Sequence, residues 1–130
     1  PLVLGHDVEN PETVATAIRI GKPASGSKAL AARDESNGLI SSVTDEQILD
    51  AQAFLAAKEG IFVEPASAAG VAGLLALKQS GDLPAGQRIV ITVTGNGLKD
   101  IDTALSRTEL STEAVEPSTD RVAALLGLHR

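Results

Sequence analysis

The sequence has no cysteine, methionine, tryptophan or tyrosine, and its only large apolar rings are Phe54 and Phe62. The absence of cysteine excludes disulfide frameworks, thiolate zinc centres and thiol nucleophiles together. Two histidines, His6 and His129, are too few for a histidine-rich metal centre, so no metal site is expected; carboxylates alone would hold only a hard cation. No apolar run approaches the ~20 residues that span a bilayer, and no basic stretch precedes an apolar one, so a membrane segment and a signal segment are both unexpected. Positive charge is scarce as well. Eleven Lys and Arg stand against 17 Asp and Glu, a formal net charge of −6. That balance argues against a nucleic-acid partner, whose phosphates call for clustered Lys and Arg.

What is present is aliphatic: 43% of the 130 residues are hydrophobic and 2% aromatic, so the core must be built from Ala, Val, Leu and Ile. The length suits one domain, and small side chains let helices lie close on a sheet. The chain opens at Pro1 straight into Leu2-Val3-Leu4, which reads as a piece of something longer.

Apolar and β-branched runs predict strands at residues 2–4, 39–43, 61–63 and 89–93, the last one continuous enough to be buried on both faces. Helices are predicted between them. Asn10-Pro11-Glu12 has the form of a helix start, with Val14, Ala17 and Ile18 as its apolar stripe and Gly21 and Pro23 as its stop. A short helix is expected over residues 28–33, before a turn at Ser36-Asn37-Gly38. Thr44-Asp45-Glu46-Gln47 is a capping box, with Val43 and Ile48 placed as a hydrophobic staple, and its helix should run through Leu55 and end at Gly60. Residues 67–79 form the next helix, with Ser67 as its N-cap; Gly70 and Gly73, one turn apart, imply close approach to a neighbouring backbone. Residues 106–117 are polar and irregular, and Ser118 or Thr119 caps a last helix that ends at Gly127. Strand and helix in alternation point to an α/β fold, a three-layer αβα arrangement with a mainly parallel sheet.

In an open parallel sheet, ligands gather at the carboxyl ends of strands. Two such ends carry polar, helix-starting turns: Glu64-Pro65-Ala66-Ser67 and Thr94-Gly95-Asn96-Gly97. Both place side-chain oxygens and free backbone N–H groups on one edge, suited to a planar or anionic ligand. Each residue also has a plainer role: Glu64 as a solvated carboxylate, Ser67 as a cap, Gly95 and Gly97 as turn glycines with positive φ, and Lys99 as a surface charge near Asp100 and Asp102. His6 beside Asp7 lacks a third partner for base catalysis. Gly95 to Lys99 does not meet P-loop spacing.

Three strings occur in order: Thr16-Ala17-Ile18-Arg19-Ile20-Gly21, Glu59-Gly60-Ile61-Phe62-Val63-Glu64-Pro65-Ala66-Ser67-Ala68-Ala69, and Val93-Thr94-Gly95-Asn96-Gly97-Leu98-Lys99-Asp100. Together they resemble the C-terminal part of the threonine synthase family, pyridoxal-phosphate (PLP) enzymes of the tryptophan-synthase β-like fold. The similarity runs from Leu2 to about Ala104. It implies that residues 1–105 are the C-terminal part of a PLP-binding domain and that residues 106–130 are a polar connection and terminal helix. It further implies a cofactor-binding set of Thr94, Glu64, Gly95 and Asn96, with the Thr94 hydroxyl facing the pyridine nitrogen. The family converts O-phospho-L-homoserine and water to L-threonine and phosphate, and is commonly a cytoplasmic homodimer.

The family's Schiff-base lysine lies in a Ser-Phe-Lys-Asp segment that has no counterpart in these residues, and neither does its glycine-rich phosphate cup. Lys22, Lys28, Lys58, Lys78 and Lys99 stand in other contexts. No catalytic residue is therefore expected, and the isolated chain is expected to be inactive and prone to self-association. Two positions depart from the family pattern: Gly26 where an aromatic residue often follows Pro-x-Ser, and Ile101 where a proline often follows Lys-Asp. Two alternatives stand beside this reading: a segment of a threonine or serine dehydratase-like enzyme, which the Leu98-Lys99-Asp100 extension disfavours, and a non-catalytic small-molecule-binding fragment of the same fold.

Overall fold

The computed structural model describes residues 1–107 and 114–128. At its centre two helices pack against each other. The first, α2 (Asp45–Phe54), begins where the capping box places it. The Thr44 hydroxyl accepts the Gln47 N–H at 3.2 Å, and the Gln47 side-chain oxygen accepts the Thr44 N–H at 2.9 Å. Val43 and Ile48 both join the core, as a staple requires. After Phe54 the chain makes one wide turn over Leu55–Glu59. Gly60 then takes up a left-handed conformation (φ 66°), and the Ile61 N–H reaches back to the Leu55 carbonyl at 3.1 Å.

The second helix, α3 (Pro65–Ser80), has Pro65 in its first turn and Gly81 in the left-handed region after its end. Ala68, Val71 and Ala72 of α3 meet Ile48, Ala51 and Leu55, and Ala15 and Val63 complete the buried cluster. Three alanines in that interface allow the helices to approach closely, the use expected of a core without large rings. The buried Gln52 amide donates to the Val63 carbonyl at 2.8 Å and so fixes the entry to α3.

Among the described residues three further α-helices lie outside this pair. Helix α1 (Gly26–Ser36) contains the expected residues 28–33 and is longer at both ends; Asn37 closes it in the left-handed region (φ 51°), as the Ser36-Asn37-Gly38 turn implied. Helix α4 (Ile101–Leu105) begins at the Ile101 position noted above. Helix α5 (Thr119–Leu125) has Ser118 as its cap, accepting the Arg121 N–H at 3.2 Å. Part of the irregular stretch expected at residues 106–117, together with His129, lies outside the described residues.

The parallel sheet is not formed among the described residues, which contain no strand. Residues 2–4 turn instead, with the Gly5 N–H bonded to the Pro1 carbonyl at 2.8 Å. Residues 61–63 contribute one antiparallel bridge, Val63 to Asn96. Residues 39–43 and 89–93 make no backbone hydrogen bond among the described residues, and Leu39 and Val90 are 67% and 89% exposed. The physical reason is that a strand is completed by a neighbour. An apolar run shows that a segment favours burial, but pairing needs a second backbone alongside it.

The helix expected from Pro11 is likewise replaced by a single tight turn at Thr16–Ile18. The Val14 N–H finds another acceptor, the Asp45 carboxylate of α2 at 3.1 Å, which also takes the Thr13 hydroxyl at 2.5 Å. Asn10 caps no helix among the described residues.

Because the capping box holds two orphan donors of the central helix, Thr44→Ala is expected to lower stability by about 0.5–2 kcal/mol, while Thr44→Ser stays near the parent value. Urea unfolding followed by far-UV circular dichroism measures both.

Candidate functional site

The two polar turns picked out from the sequence are brought together, and backbone hydrogen bonds stitch them. The Glu64 N–H donates to the Gly95 carbonyl at 3.0 Å, and the Gly97 N–H donates to the Phe62 carbonyl at 3.2 Å. Glu64, in extended conformation, occupies the N-cap position of α3, and its carbonyl accepts the N–H groups of Ser67 and Ala68.

Ser67 is therefore not the cap. It stands at the third helical position, and its hydroxyl crosses to the other turn. There it accepts the Gly95 N–H at 2.7 Å and the Thr94 N–H at 3.2 Å, and lies 3.2 Å from the Thr94 hydroxyl. Pro65 carried the signal that relocates the cap: proline favours the first helical position, which puts the N-cap one residue before it.

A donor count assigns the protons. A hydroxyl has two lone pairs and one hydrogen. Two backbone N–H groups fill both lone pairs of Ser67, so its hydrogen goes to the Thr94 oxygen. The Thr94 hydrogen is then the free one, on an exposed residue, ready for an external acceptor.

Gly95 and Gly97 serve a purpose other than the positive φ expected of them, since neither adopts it. Both are buried beneath side chains from the neighbouring turn. A Cβ on Gly95 would overlap the Glu64 carboxylate, and one on Gly97 would fall 2.5 Å from the Phe62 ring. The requirement is space. Asn96 caps the turn that follows, its Oδ1 accepting the Leu98 N–H at 2.9 Å.

Lys99 is more than a surface charge, since its Nζ lies 3.8 Å from the Glu64 Oε2, a carboxylate only 10% exposed. The sequence reading missed this pair and the Phe62 ring. His6 and Asp7 do not form a dyad: Asp7 pairs with Lys22 at 3.0 Å, and the His6 Nδ1 lies 3.1 Å from the Leu4 carbonyl. Among the described residues no group of acidic or histidine side chains is arranged to hold a metal ion, and no helix is long and apolar enough to cross a membrane.

Residues 4–95, more than half of the chain, match the family described as pyridoxal-phosphate dependent enzyme. The chain belongs to that family. The cofactor of that family is pyridoxal phosphate, as the sequence resemblance implied for the full-length enzyme. Relatives agree. The chain is 51% identical over 128 residues to a threonine synthase of Synechocystis, covering 98% of this chain and 33% of that protein. It is 56% identical over 105 residues to the threonine synthase of Mycobacterium tuberculosis, covering 81% of this chain and 29% of that one. With that of Methanocaldococcus jannaschii it shares 54% identity over 101 residues, covering 78% and 25%. The chain thus spans about a third or less of the length of these relatives, and it resembles a fragment of them.

Ser67→Ala would leave the Thr94 and Gly95 N–H groups without their acceptor. A loss of about 1–3 kcal/mol is expected, with faster hydrogen exchange at the Gly95 amide read by NMR and no change at the capping box of α2.

Proposed function

We propose that the turns at residues 64–67 and 94–99 form the wall of a pyridoxal-phosphate site that faces the pyridine nitrogen, within an enzyme of the threonine synthase type. The observation that carries this reading is the pair of backbone N–H groups donating to Ser67, from which the count leaves the Thr94 hydrogen for an outside acceptor. A pyridine nitrogen without a proton is a hydrogen-bond acceptor, and the hydrogen count around Ser67 leaves Thr94 as a donor. The residues present therefore fit the cofactor at this edge.

Pyridoxal phosphate, when bound, supplies an electron sink for bond breaking at the substrate carbons. Thr94 holds the ring nitrogen through a neutral hydroxyl. Unlike an aspartate, it does not stabilise a ring proton, so the sink is weaker. Ser67 orients Thr94. Glu64 lines the same edge, with its carboxylate placed between the Gly95 backbone and the Lys99 ammonium. Gly95 and Asn96 shape the wall, and the missing side chain at Gly95 leaves room for the Glu64 carboxylate.

The full reaction in this reading converts O-phospho-L-homoserine and water to L-threonine and phosphate: phosphate leaves the γ-carbon and water adds at the β-carbon. Identities of 46–56% to proteins named threonine synthase support it over a dehydratase. The reading places residues 1–105 in a PLP-binding domain whose parallel sheet is completed by the rest of a longer enzyme, a cytoplasmic homodimer. The Schiff-base lysine and the phosphate cup also belong to that remainder, so the isolated chain is inactive.

The test is a chimera in which this chain replaces the matching third of the Synechocystis threonine synthase. It is expected to form threonine and phosphate in equal amounts from O-phospho-L-homoserine, whereas the chain alone forms neither. Thr94→Ser should keep most of the activity. Thr94→Val should lose on the order of 10²-fold in kcat and shift the absorbance of the bound cofactor. A chimera that binds cofactor but deaminates threonine would select the dehydratase instead.

A further inference from the structure

Glu64 stands at the N-cap position of α3, where a side-chain oxygen can accept a free helix N–H. Its carboxylate makes no such bond. It lies across Gly95 instead, on the spot that a Cβ would take. The backbone behind it is pinned: the Gly95 carbonyl accepts the Glu64 N–H, and the Glu64 carbonyl accepts the N–H groups of Ser67 and Ala68. Among the described residues the partner of that carboxylate is Lys99, with Nζ 3.8 Å from Oε2. That separation is too long for a hydrogen bond and short enough for an ion pair.

Nearer anions in sequence do not take Lys99. The Asp100 carboxylate accepts the Thr103 hydroxyl at 2.7 Å, and among the described residues neither Asp100 nor Asp102 pairs with the ammonium. The turn that carries Lys99 is pinned as well. The Asn96 Oδ1 accepts the Leu98 N–H at 2.9 Å, and the Asn96 carbonyl accepts the Lys99 N–H at 3.2 Å. The Gly97 N–H is tied across to the Phe62 carbonyl. Lys99 therefore reaches from one fixed turn to a carboxylate held on the other.

This pairing changes the charge on the edge. The Glu64 side chain is 10% exposed, so little water screens it, and it rests on the residue directly after Thr94. A lone carboxylate there would favour a proton on any base bound in front of Thr94. An ammonium beside it opposes that pull.

We infer, on the reading of Thr94 as donor to a pyridoxal-phosphate ring, that Lys99 is a positioning residue of the same wall. It holds the Glu64 carboxylate against Gly95 and offsets its charge. The neutral Thr94 hydroxyl then meets the ring nitrogen without an uncompensated negative charge behind it.

The experiment reads the ring rather than turnover. The chimera of this chain with the remainder of the Synechocystis threonine synthase is loaded with pyridoxal phosphate isotopically labelled at the ring nitrogen. Its nitrogen resonance is then recorded by NMR. Lys99→Met keeps the length of the side chain without its charge, and should raise the ratio of protonated to neutral ring nitrogen about tenfold. Lys99→Arg should stay near the parent. Lys99→Met combined with Glu64→Gln removes both charges and should bring the resonance back, which a merely structural role for Lys99 would not do. In the free chain, the nuclear Overhauser contact between the Glu64 side chain and the Gly95 α-protons should persist in Lys99→Arg and weaken in Lys99→Met. Circular dichroism should not change, because the Lys99 side chain is 64% exposed.

Thr94→Val separates the two failures. If it moves the resonance and Lys99→Met does not, the cofactor wall stands and Lys99 is a surface charge only. A double variant that fails to restore the signal, or a Glu64–Gly95 contact that survives Lys99→Met, also overturns the proposal. A chimera that takes up no cofactor, or whose resonance ignores Thr94→Val, overturns the cofactor wall and the role of Lys99 with it.

Discussion

The site depends on one hydroxyl. Ser67 is carried on the first turn of α3, whose direction is set by Pro65 and by the packing of Ala68, Val71 and Ala72 on α2. From that fixed position it accepts the N–H groups of Gly95 and Thr94, so the Thr-Gly-Asn-Gly turn is held by a helix rather than by its own geometry. The return bond from the Glu64 N–H to the Gly95 carbonyl makes the link reciprocal. Removing the Ser67 oxygen would leave two N–H groups without an acceptor and free the Thr94 side chain. The orientation of the exposed donor therefore depends on a buried acceptor directly behind it.

Features governed by neighbours in sequence are legible in the residues alone. The Thr44–Gln47 capping box, the cap at Ser118 and the turn at Ser36-Asn37-Gly38 are all settled within four residues, and each forms where the residues place it. Features that depend on a distant partner are not legible in the same way. Asn10-Pro11-Glu12 has every local mark of a helix start, yet Asp45, more than thirty residues away, takes the donors that would have opened it. Residues 39–43 and 89–93 have the composition of strands, but composition does not supply the adjoining backbone.

The candidate site is legible in the sequence as a place and not as a mechanism. Glu64, Ser67, Thr94 and Gly95 do meet, because the Val63–Asn96 bridge and the start of α3 bring the two turns to one edge. The small residue needed at positions 95 and 97 is visible too, but the reason differs from the expected one. Turn glycines usually signal positive φ; these two signal that the Glu64 carboxylate and the Phe62 ring lie where a Cβ would be. The Lys99–Glu64 pair is hidden because Lys99 also sits beside Asp100 and Asp102, which explain a surface cation without any partner across the turn.

Helix α3 connects stability to the site. A helix that is apolar on more than one side belongs inside a larger core, and in this chain only the α2 side is covered. The uncovered side bears on residues 89–93, and that segment runs directly into Thr94. Ile91, resting near Gly70, is the contact through which α3 meets the backbone that leads into the site. Ile91 restrains residues 89–93 at one point, and Ser67 restrains Thr94 and Gly95 just after them. A side-chain donor keeps one direction only when the backbone is fixed on both sides of it. The turn at Thr94 and Gly95 is thus held from the Ser67 side, while residues 89–93 rest on α3 through Ile91.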